Sequence, residues 1–351
     1  MYKRQVQDTE AVQEPEVPKL PKRDKRALFL IAVVALLTFF GGLVLAGYAA
    51  INYKYERGSE IAKGNFEIPK GAGLSRIADK LENEGFVESA FLFKLVTKLR
   101  GNEANFKAGE FSIEENASMA AIYETLAEGK AILYPFTAAE GLTSAMIVRS
   151  LDDVETLIDD NPAAPKEGTI LPETYLTPKG MKQSELLTKM AQAQKDLLDE
   201  AWEKRDPNIP VKTKEEAIIL ASVVEKETGI GMERGMVAGV FTNRLRRGMK
   251  LQSDPTIIYG ITKGEPLGRR IRQSEIDGVT DWNTYQIPAL PKTPICNPGR
   301  DAILAVLNPS ETDAIFFVAD GTGGHAFAKT LREHERNVAK WRKIQRERGL
   351  R

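Results

Sequence analysis

Two carboxylates, Glu225 and Glu227, close the stretch ILASVVEKETG, residues 219–229, and they carry the plainest chemistry in the chain. Ile219, Leu220, Ala221, Ser222, Val223 and Val224 before them are all apolar or small. A carboxyl group drawn into such surroundings has its ionised form disfavoured, so its pKa rises and it can keep a proton near neutral pH and act as a general acid. Helical spacing continues the face of Ile218, Ala221 and Ser222 through Glu225 and puts Glu227 almost opposite, beside Leu220 and Val223. At least one of the pair therefore points into protein or a cleft. The competing reading is that both mark the exposed end of a helix, with Lys226 and Arg234 as ion partners. Asn243, Gln252 and Asp254 follow close behind in sequence, with Asp254 before Pro255 in the manner of a helix cap.

Other chemistries are excluded by what is missing. The chain has no G-x-S-x-G elbow, no Gly-rich phosphate loop and no H-E-x-x-H motif. Cys296 is the only cysteine and His325 and His334 the only histidines, so no internal disulfide is possible and no His/Cys zinc site is expected. No cofactor is expected either. The 49 Lys and Arg residues balance the 49 Asp and Glu residues, which removes any global argument for nucleic acid.

The elements that must position these groups can be read from periodicity and punctuation. Thr213-Lys-Glu-Glu216 fits a capping box, with the Thr hydroxyl capping the first turn and the Glu reaching back to the cap amide, so the helix starts near Lys214. From Ile218 to Val224 small and apolar residues cover every direction around its axis, which marks a central, buried helix. A second helix runs through Val237, Val240, Phe241 and Leu245, and an amphipathic one spans residues 184–203. Residues 162–180, rich in Pro, Gly and Thr, read as a loop that holds Glu173. Upstream, a strand at Phe66–Ile68, helices through Leu74–Leu81 and Phe91–Leu99, a strand ending at Ile113 and a helix over Met119–Leu126 make a small module at 61–130.

Residues 27–51 form an uncharged apolar run long enough at helical rise to cross a bilayer. Basic residues from Lys19 to Arg26 precede it and Tyr48, Tyr53 and Tyr55 lie at its far end, so the positive-inside rule leaves the N-terminus in the cytoplasm and everything from Asn52 onward outside. Residues 1–26 read as a disordered cytoplasmic segment, 27–51 as a single membrane span, 52–60 as a linker and 131–351 as the main domain. An uncleaved anchor is preferred to a signal peptide because the run exceeds an h-region and polar residues precede it.

The motifs LASVVEKET, FTNRLRRGMKLQSDPTIIYG, NTYQIPALP, ICNPG and FFVADGTGGHAF, in this order, resemble those of the YceG-like family of endolytic murein transglycosylases. The resemblance implies an α+β protein with a single N-terminal transmembrane helix, a small LysM-like α/β subdomain at 61–130 and a larger mixed α+β catalytic domain at 131–351. It implies a lyase anchored in the bacterial inner membrane that cuts peptidoglycan strands in the periplasm, between N-acetylmuramic acid and N-acetylglucosamine, leaving 1,6-anhydromuramoyl ends. Peptidoglycan synthases are the partners it suggests. It also implies Glu225, the first glutamate of EKET, as the catalytic acid, with Glu227, Asn243, Gln252, Asp254, Asn283, Tyr285 and His325 on shared motifs as candidate substrate-binding residues. Two alternatives stay open: a non-catalytic peptidoglycan-binding scaffold, and a hydrolytic muramidase with Asp254 or Glu173 as second carboxylate.

Overall fold

The computed structural model describes residues 25–57, 63–99 and 106–349. The expected cytoplasmic segment lies outside these, apart from Lys25 and Arg26, which open the first helix. The chain divides into two compact units: Met1–Gly64 with Gly73–Asn105 and Ile113–Glu124, and Asn65–Ala72 with Phe106–Ser112 and Thr125–Arg351. In the first, helix α1 (Lys25–Glu56) is long and apolar enough to cross a membrane. It runs on through Asn52–Glu56, residues expected to belong to a linker. Helix α2 (Leu74–Asn83) buries Ile77, Ala78 and Leu81, and α3 (Ala90–Leu99) packs on it with Phe93 and Val96.

The larger unit is helical with short two-stranded sheets. Strand β1 (Gly64–Ile68) pairs with β2 (Gly109–Ile113); after α4 (Met119–Ala127), whose residues up to Glu124 belong to the first unit, β3 (Leu133–Thr137) pairs antiparallel with β5 (Thr174–Pro178) so that Pro135 faces Leu176. Strand β5 lies in the stretch read as a loop. Its Pro and Thr content hides an alternation in which Thr177 is buried while its neighbour Leu176 stays exposed. Between these strands sit α5 (Ser144–Leu151) and β4 (Leu157–Ile158), and β4 pairs parallel with β6 (Met181–Lys182) ahead of α6 (Gln183–Glu203). Then follow α7 (Lys214–Glu227), α8 (Arg234–Arg246), α9 (Asp254–Thr262), α10 (Gln273–Asp277) and α11 (Arg300–Leu307). A hairpin of β7 (Phe316–Ala319) and β8 (His325–Ala328) precedes the last helix, α12 (Leu331–Glu347).

Helix α7 is the centre of the larger core. All eight residues from Ala217 to Val224 are buried, as the all-round apolar pattern predicts. Ala217, Ile218, Leu220, Ala221, Val223 and Val224 pack with Val237, Ala238 and Phe241 of α8, Ile303 and Val306 of α11, and Leu197 of α6. Complete burial of Leu220, Val223 and Val224 contributes about 1.5–3 kcal/mol each. Thr213 caps the helix by accepting from the Glu216 N–H at 3.1 Å. Glu216, however, reaches one residue further back than a capping box requires and accepts from the Lys212 N–H at 2.5 Å. A second apolar cluster gathers Phe136, Ile147, Leu151, Ile170, Leu186 and Met190.

Asn297, fully buried in the ICNPG segment, ties loops to these cores. Its Oδ1 accepts from the Gly168 N–H at 3.0 Å, and its Nδ2 donates to the Leu142 carbonyl and to Ser144 Oγ at 3.2 and 3.0 Å. Asn297→Ala takes the side-chain acceptor from the buried Gly168 and Ile170 N–H groups, so chemical denaturation is expected to show a loss of at least about 1 kcal/mol in unfolding free energy. A loss below about 0.5 kcal/mol is the range of an ordinary surface change and contradicts the brace.

Candidate functional site

Helix α7 ends where Thr228 turns to extended backbone, and the two carboxylates separate there. Glu225, its side chain only 6% exposed, accepts with both oxygens: from the Gly299 N–H at 3.0 Å and from Arg234 Nη2 at 3.2 Å. The same guanidinium donates to Glu140 at 2.9 Å and to Asp301 at 3.4 Å. Burial, then the neighbouring Glu225 charge, raises the Glu140 carboxyl against the pull of Arg234. A Cβ at 299 would overlap the Glu140 carboxylate, so glycine lets that side chain lie close against the backbone here. Lys226 donates to the Gly141 carbonyl at 3.2 Å, so the turn at Glu140-Gly141 is pinned to the end of α7. This is a locked ion-pair assembly.

Glu227 enters different surroundings. Part of its surface remains accessible, yet protein encloses the carboxyl enough that burial lifts it to about 7. The Asp254 charge pushes the same way, while the Ser253 hydroxyl, His325 and Arg244 oppose it. Asp254 accepts from the Tyr285 hydroxyl at 2.7 Å. Burial, this hydrogen bond and the charges of Asp254 and Glu227 raise the Tyr285 phenol. Ser253 is the N-cap of α9 and Asp254 its first residue, so Asp254 is not the cap that the Asp-Pro pair suggested. The Ser253 side chain makes no capping hydrogen bond either.

Two more groups complete this side. Arg244 is buried, donates to the Lys250 carbonyl at 2.9 Å and holds the Gln252 side-chain oxygen. Gln252 has φ of 52°, a left-handed conformation uncommon outside glycine, which places strain next to the acidic cluster. His325, at the start of β8, has Nδ1 2.7 Å from a Glu233 oxygen, and Phe317 meets its ring edge-on at 5.3 Å between centroids.

Of the residues the sequence put forward, Glu227, Gln252, Asp254, Tyr285 and His325 come together. Asn243 and Asn283 do not join them as open polar groups. Asn243 Nδ2 donates to the Thr312 and Ala314 carbonyls at 2.6 and 3.1 Å, bracing the segment before β7. Asn283, fully buried, donates to the Glu275, Ile276 and Gly278 carbonyls at 3.1, 2.9 and 2.6 Å. Glu173 pairs with Arg300 at 3.0 Å in the β3–β5 region. Arg234 pairs with Glu225, as the competing reading of the helix end expected; sequence reading missed Glu233, Ser253 and Arg244, and an arginine on a mostly apolar helix was the signal for the last.

Glu167 is also raised by burial to about 7. One of its oxygens accepts from the Ser144 N–H at 2.9 Å, at the first residue of α5, which is a capping role. It borders a cavity of about 810 Å³ at the opposite end of α7, lined by Gln194, Ile218, Tyr259 and Trp282, where Lys263 Nζ lies 3.4 Å from the Trp282 ring centre. Neither Glu225 nor Glu227 lines that cavity. Among the described residues, no group of three His, Cys, Asp or Glu side chains is arranged to hold a metal.

The model of the YceG-like family matches residues 66–340, and the chain belongs to that family. The endolytic murein transglycosylase of Bacillus subtilis (strain 168) is 27% identical over 309 residues, covering 79% of this chain and 84% of that protein. The endolytic murein transglycosylase of Streptococcus pneumoniae serotype 2 is 27% identical over 361 residues, 88% of this chain but only 64% of its own length. A crystal structure of a YceG-like protein from Listeria monocytogenes aligns with a TM-score of 0.45 at 27% identity, covering 79% of this chain and 99% of that one.

The Glu227 carboxyl has a signature in stability. Because the fold favours its neutral form, raising the pH from the ordinary carboxylate range through about 7 forces an ionisation that costs stability. Glu227→Gln never ionises. Relative to wild type, the variant is expected to gain about 2–3 kcal/mol between pH 5 and pH 8. A constant difference in unfolding free energy across that range contradicts the enclosed carboxyl.

Proposed function

We propose that the protein is a membrane-anchored endolytic peptidoglycan transglycosylase in which Glu227 is the general acid. The observation that carries this is the enclosed Glu227 carboxyl, raised to about 7 beside Asp254 and Tyr285. The names of the bacterial relatives support the substrate class. In this reading the protonated carboxyl donates to the glycosidic oxygen between N-acetylmuramic acid and N-acetylglucosamine as the bond to the anomeric carbon breaks. The new carboxylate then takes the proton from the muramic C6 hydroxyl as that oxygen bonds to the anomeric carbon. One carboxyl is enough, because the sugar supplies its own nucleophile and the acid is regenerated. Proximity of the C6 hydroxyl supplies much of the advantage.

This reading takes Glu227 as the proton donor, where the family resemblance implies Glu225. Both Glu225 oxygens are engaged with Arg234 and Gly299, an arrangement suited to holding the end of α7 and the Glu140 turn in place. Asp254, within electrostatic reach of Glu227, suits the positive charge that develops at the anomeric carbon. The same proximity favours a second reading, hydrolysis with Asp254 as second carboxylate, whose product is one water heavier. Helix α1 would hold the catalytic unit at the outer face of the inner membrane, where nascent strands emerge. The LysM-like module at 61–130 and the synthase partners belong to the same proposal.

Mass spectrometry of glycan strands treated with the full chain in detergent tests it. Anhydro ends are expected with wild type and lost by about a hundredfold to ten-thousandfold in Glu227→Gln. Glu225→Gln, if folded, is expected to retain the larger share of activity. Loss confined to Glu225→Gln moves the acid to the other carboxylate; hydrated ends identify a muramidase; no cleavage at all leaves a binding scaffold.

A further inference from the structure

The cavity of about 810 Å³ beside the first turns of α7 serves neither the Glu225 ion-pair assembly nor the proposed proton transfer. Its walls come from the loop at Lys166–Thr169, from α6, from the start of α7, from the end of α9 and from the segment between Trp282 and Pro294. Most of the lining is apolar, with Ala191, Leu198, Ile218 and Pro294 among the residues that supply it. These walls are tied to one another. Gln194 Nε2 donates to the Gly168 carbonyl at 3.1 Å, which fastens the loop to α6. Gly168, at φ of 76°, lets the loop lie against Ile218 and Pro294, where a Cβ would come within 2.6 and 2.7 Å of their side-chain carbons. The Trp282 indole N–H donates to Thr293 Oγ1 at 3.0 Å, and the Tyr259 ring meets the indole at 5.6 Å between centroids.

The charges on this apolar lining are mostly ammonium groups. Lys166, Lys195, Lys214 and Lys263 all border the cavity. Asp199 answers two of them at once, Lys195 and Lys214, each at 2.8 Å. Among the described residues neither Lys166 nor Lys263 forms an ion pair. Lys263 Nζ instead lies 3.4 Å from the Trp282 ring centre and 5.4 Å from that of Tyr259. Its backbone, the C-cap of α9, is left-handed with φ of 56°, a conformation uncommon outside glycine. Of the other bordering carboxylates, Glu215 is exposed, and Glu167 carries only part of its charge near neutral pH because burial lifts it to about 7. A concave, apolar space of this size suits a small organic ligand, and a few placed polar groups fix what kind. Apolar walls with two ammonium groups that no carboxylate answers call for a ligand with an apolar body and a negative group.

We propose that this cavity is a binding site for a small amphipathic anion, one with an aromatic or short aliphatic body and a single carboxylate or phosphate. The body takes the apolar walls beside Trp282. The anionic group takes the Lys263 ammonium, with Lys166 as the second cation. Neither Glu225 nor Glu227 lines the cavity, so the site stands whichever of them is the acid.

The test is equilibrium binding of naphthyl probes to the full chain in nanodiscs of neutral lipid, with binding to empty nanodiscs subtracted. Nanodiscs replace detergent because detergent tails would compete for an apolar cavity. Naphthyl phosphate, naphthylacetate or both are expected to bind with Kd below about 1 mM. The tighter of the two identifies the anionic group. Neutral naphthylmethanol should bind at least about tenfold more weakly, the worth of one hydrogen bond to a charged group, and cationic naphthylmethylamine more weakly still. Lys263→Gln alters an exposed residue and should weaken the anions about tenfold while leaving the alcohol where it was, which shows that the cavity itself is intact. Glu227→Gln should bind every probe as wild type does. An alcohol that binds as tightly as the anions, or anions that bind Lys263→Gln as they bind wild type, overturns the proposal. So does the absence of anion binding up to about 1 mM, and so does loss of anion binding in Glu227→Gln, which would place the anion on the Glu227 side.

Discussion

A carboxyl enclosed by protein at the C-terminal end of a helix must do without its charge for much of the time. Desolvation disfavours the ion, and the carbonyl end of the helix dipole adds to that. Most of the site follows from this constraint on Glu227. The eight buried residues of α7 set the depth at which the helix emerges, because they leave no face for solvent until Glu225. The ion-pair assembly of Glu225 with Arg234, Glu140 and Asp301 holds that end still. Two neighbouring carboxylates on one short stretch are thereby given opposite surroundings. One is engaged by a guanidinium and a backbone N–H; the other is raised to about 7 by burial.

The residues around Glu227 come from distant parts of the chain. Ser253 and Asp254 open α9, Arg244 lies on α8, Tyr285 follows α10 and His325 begins β8. Each is held by bonds that do not involve substrate: Arg244 by the Lys250 carbonyl, Tyr285 by Asp254, His325 by Glu233. Preorganisation of this kind lets polar groups stabilise developing charge without reorganising at the moment of reaction. Asn297 and Asn283, both fully buried, brace loops of the same unit.

Much of this was legible in the sequence where local rules govern. The Thr213 cap, the all-round apolar run of α7, the apolar span and the strand before Pro69 follow from capping chemistry and periodicity, and the structure has them. Where pairing partners are remote, legibility failed. Strand β5 read as a loop because the partner that gives it an exposed and a buried face, β3, lies some forty residues earlier. Asp254 read as a cap because Asp-Pro is a good local signal, whereas Ser253 takes that position and frees Asp254 for Tyr285. The division of labour between Glu225 and Glu227 could not be read at all. Helical spacing says that they diverge, but only the fold says that Arg234 and Gly299 wait on one side and Ser253 and Asp254 on the other. The Glu233–His325 pairing, across 92 residues, leaves no local trace beyond a glycine before the histidine.

The most direct measurement of the central claim is the ionisation of the Glu227 carboxyl itself. Infrared difference spectra of wild type against Glu227→Gln, recorded across pH, isolate its protonated carbonyl band. The account expects that band to persist through pH 6 and to give way to the carboxylate signal around pH 7. A band already gone by about pH 5, in the ordinary range for a glutamate, would contradict it.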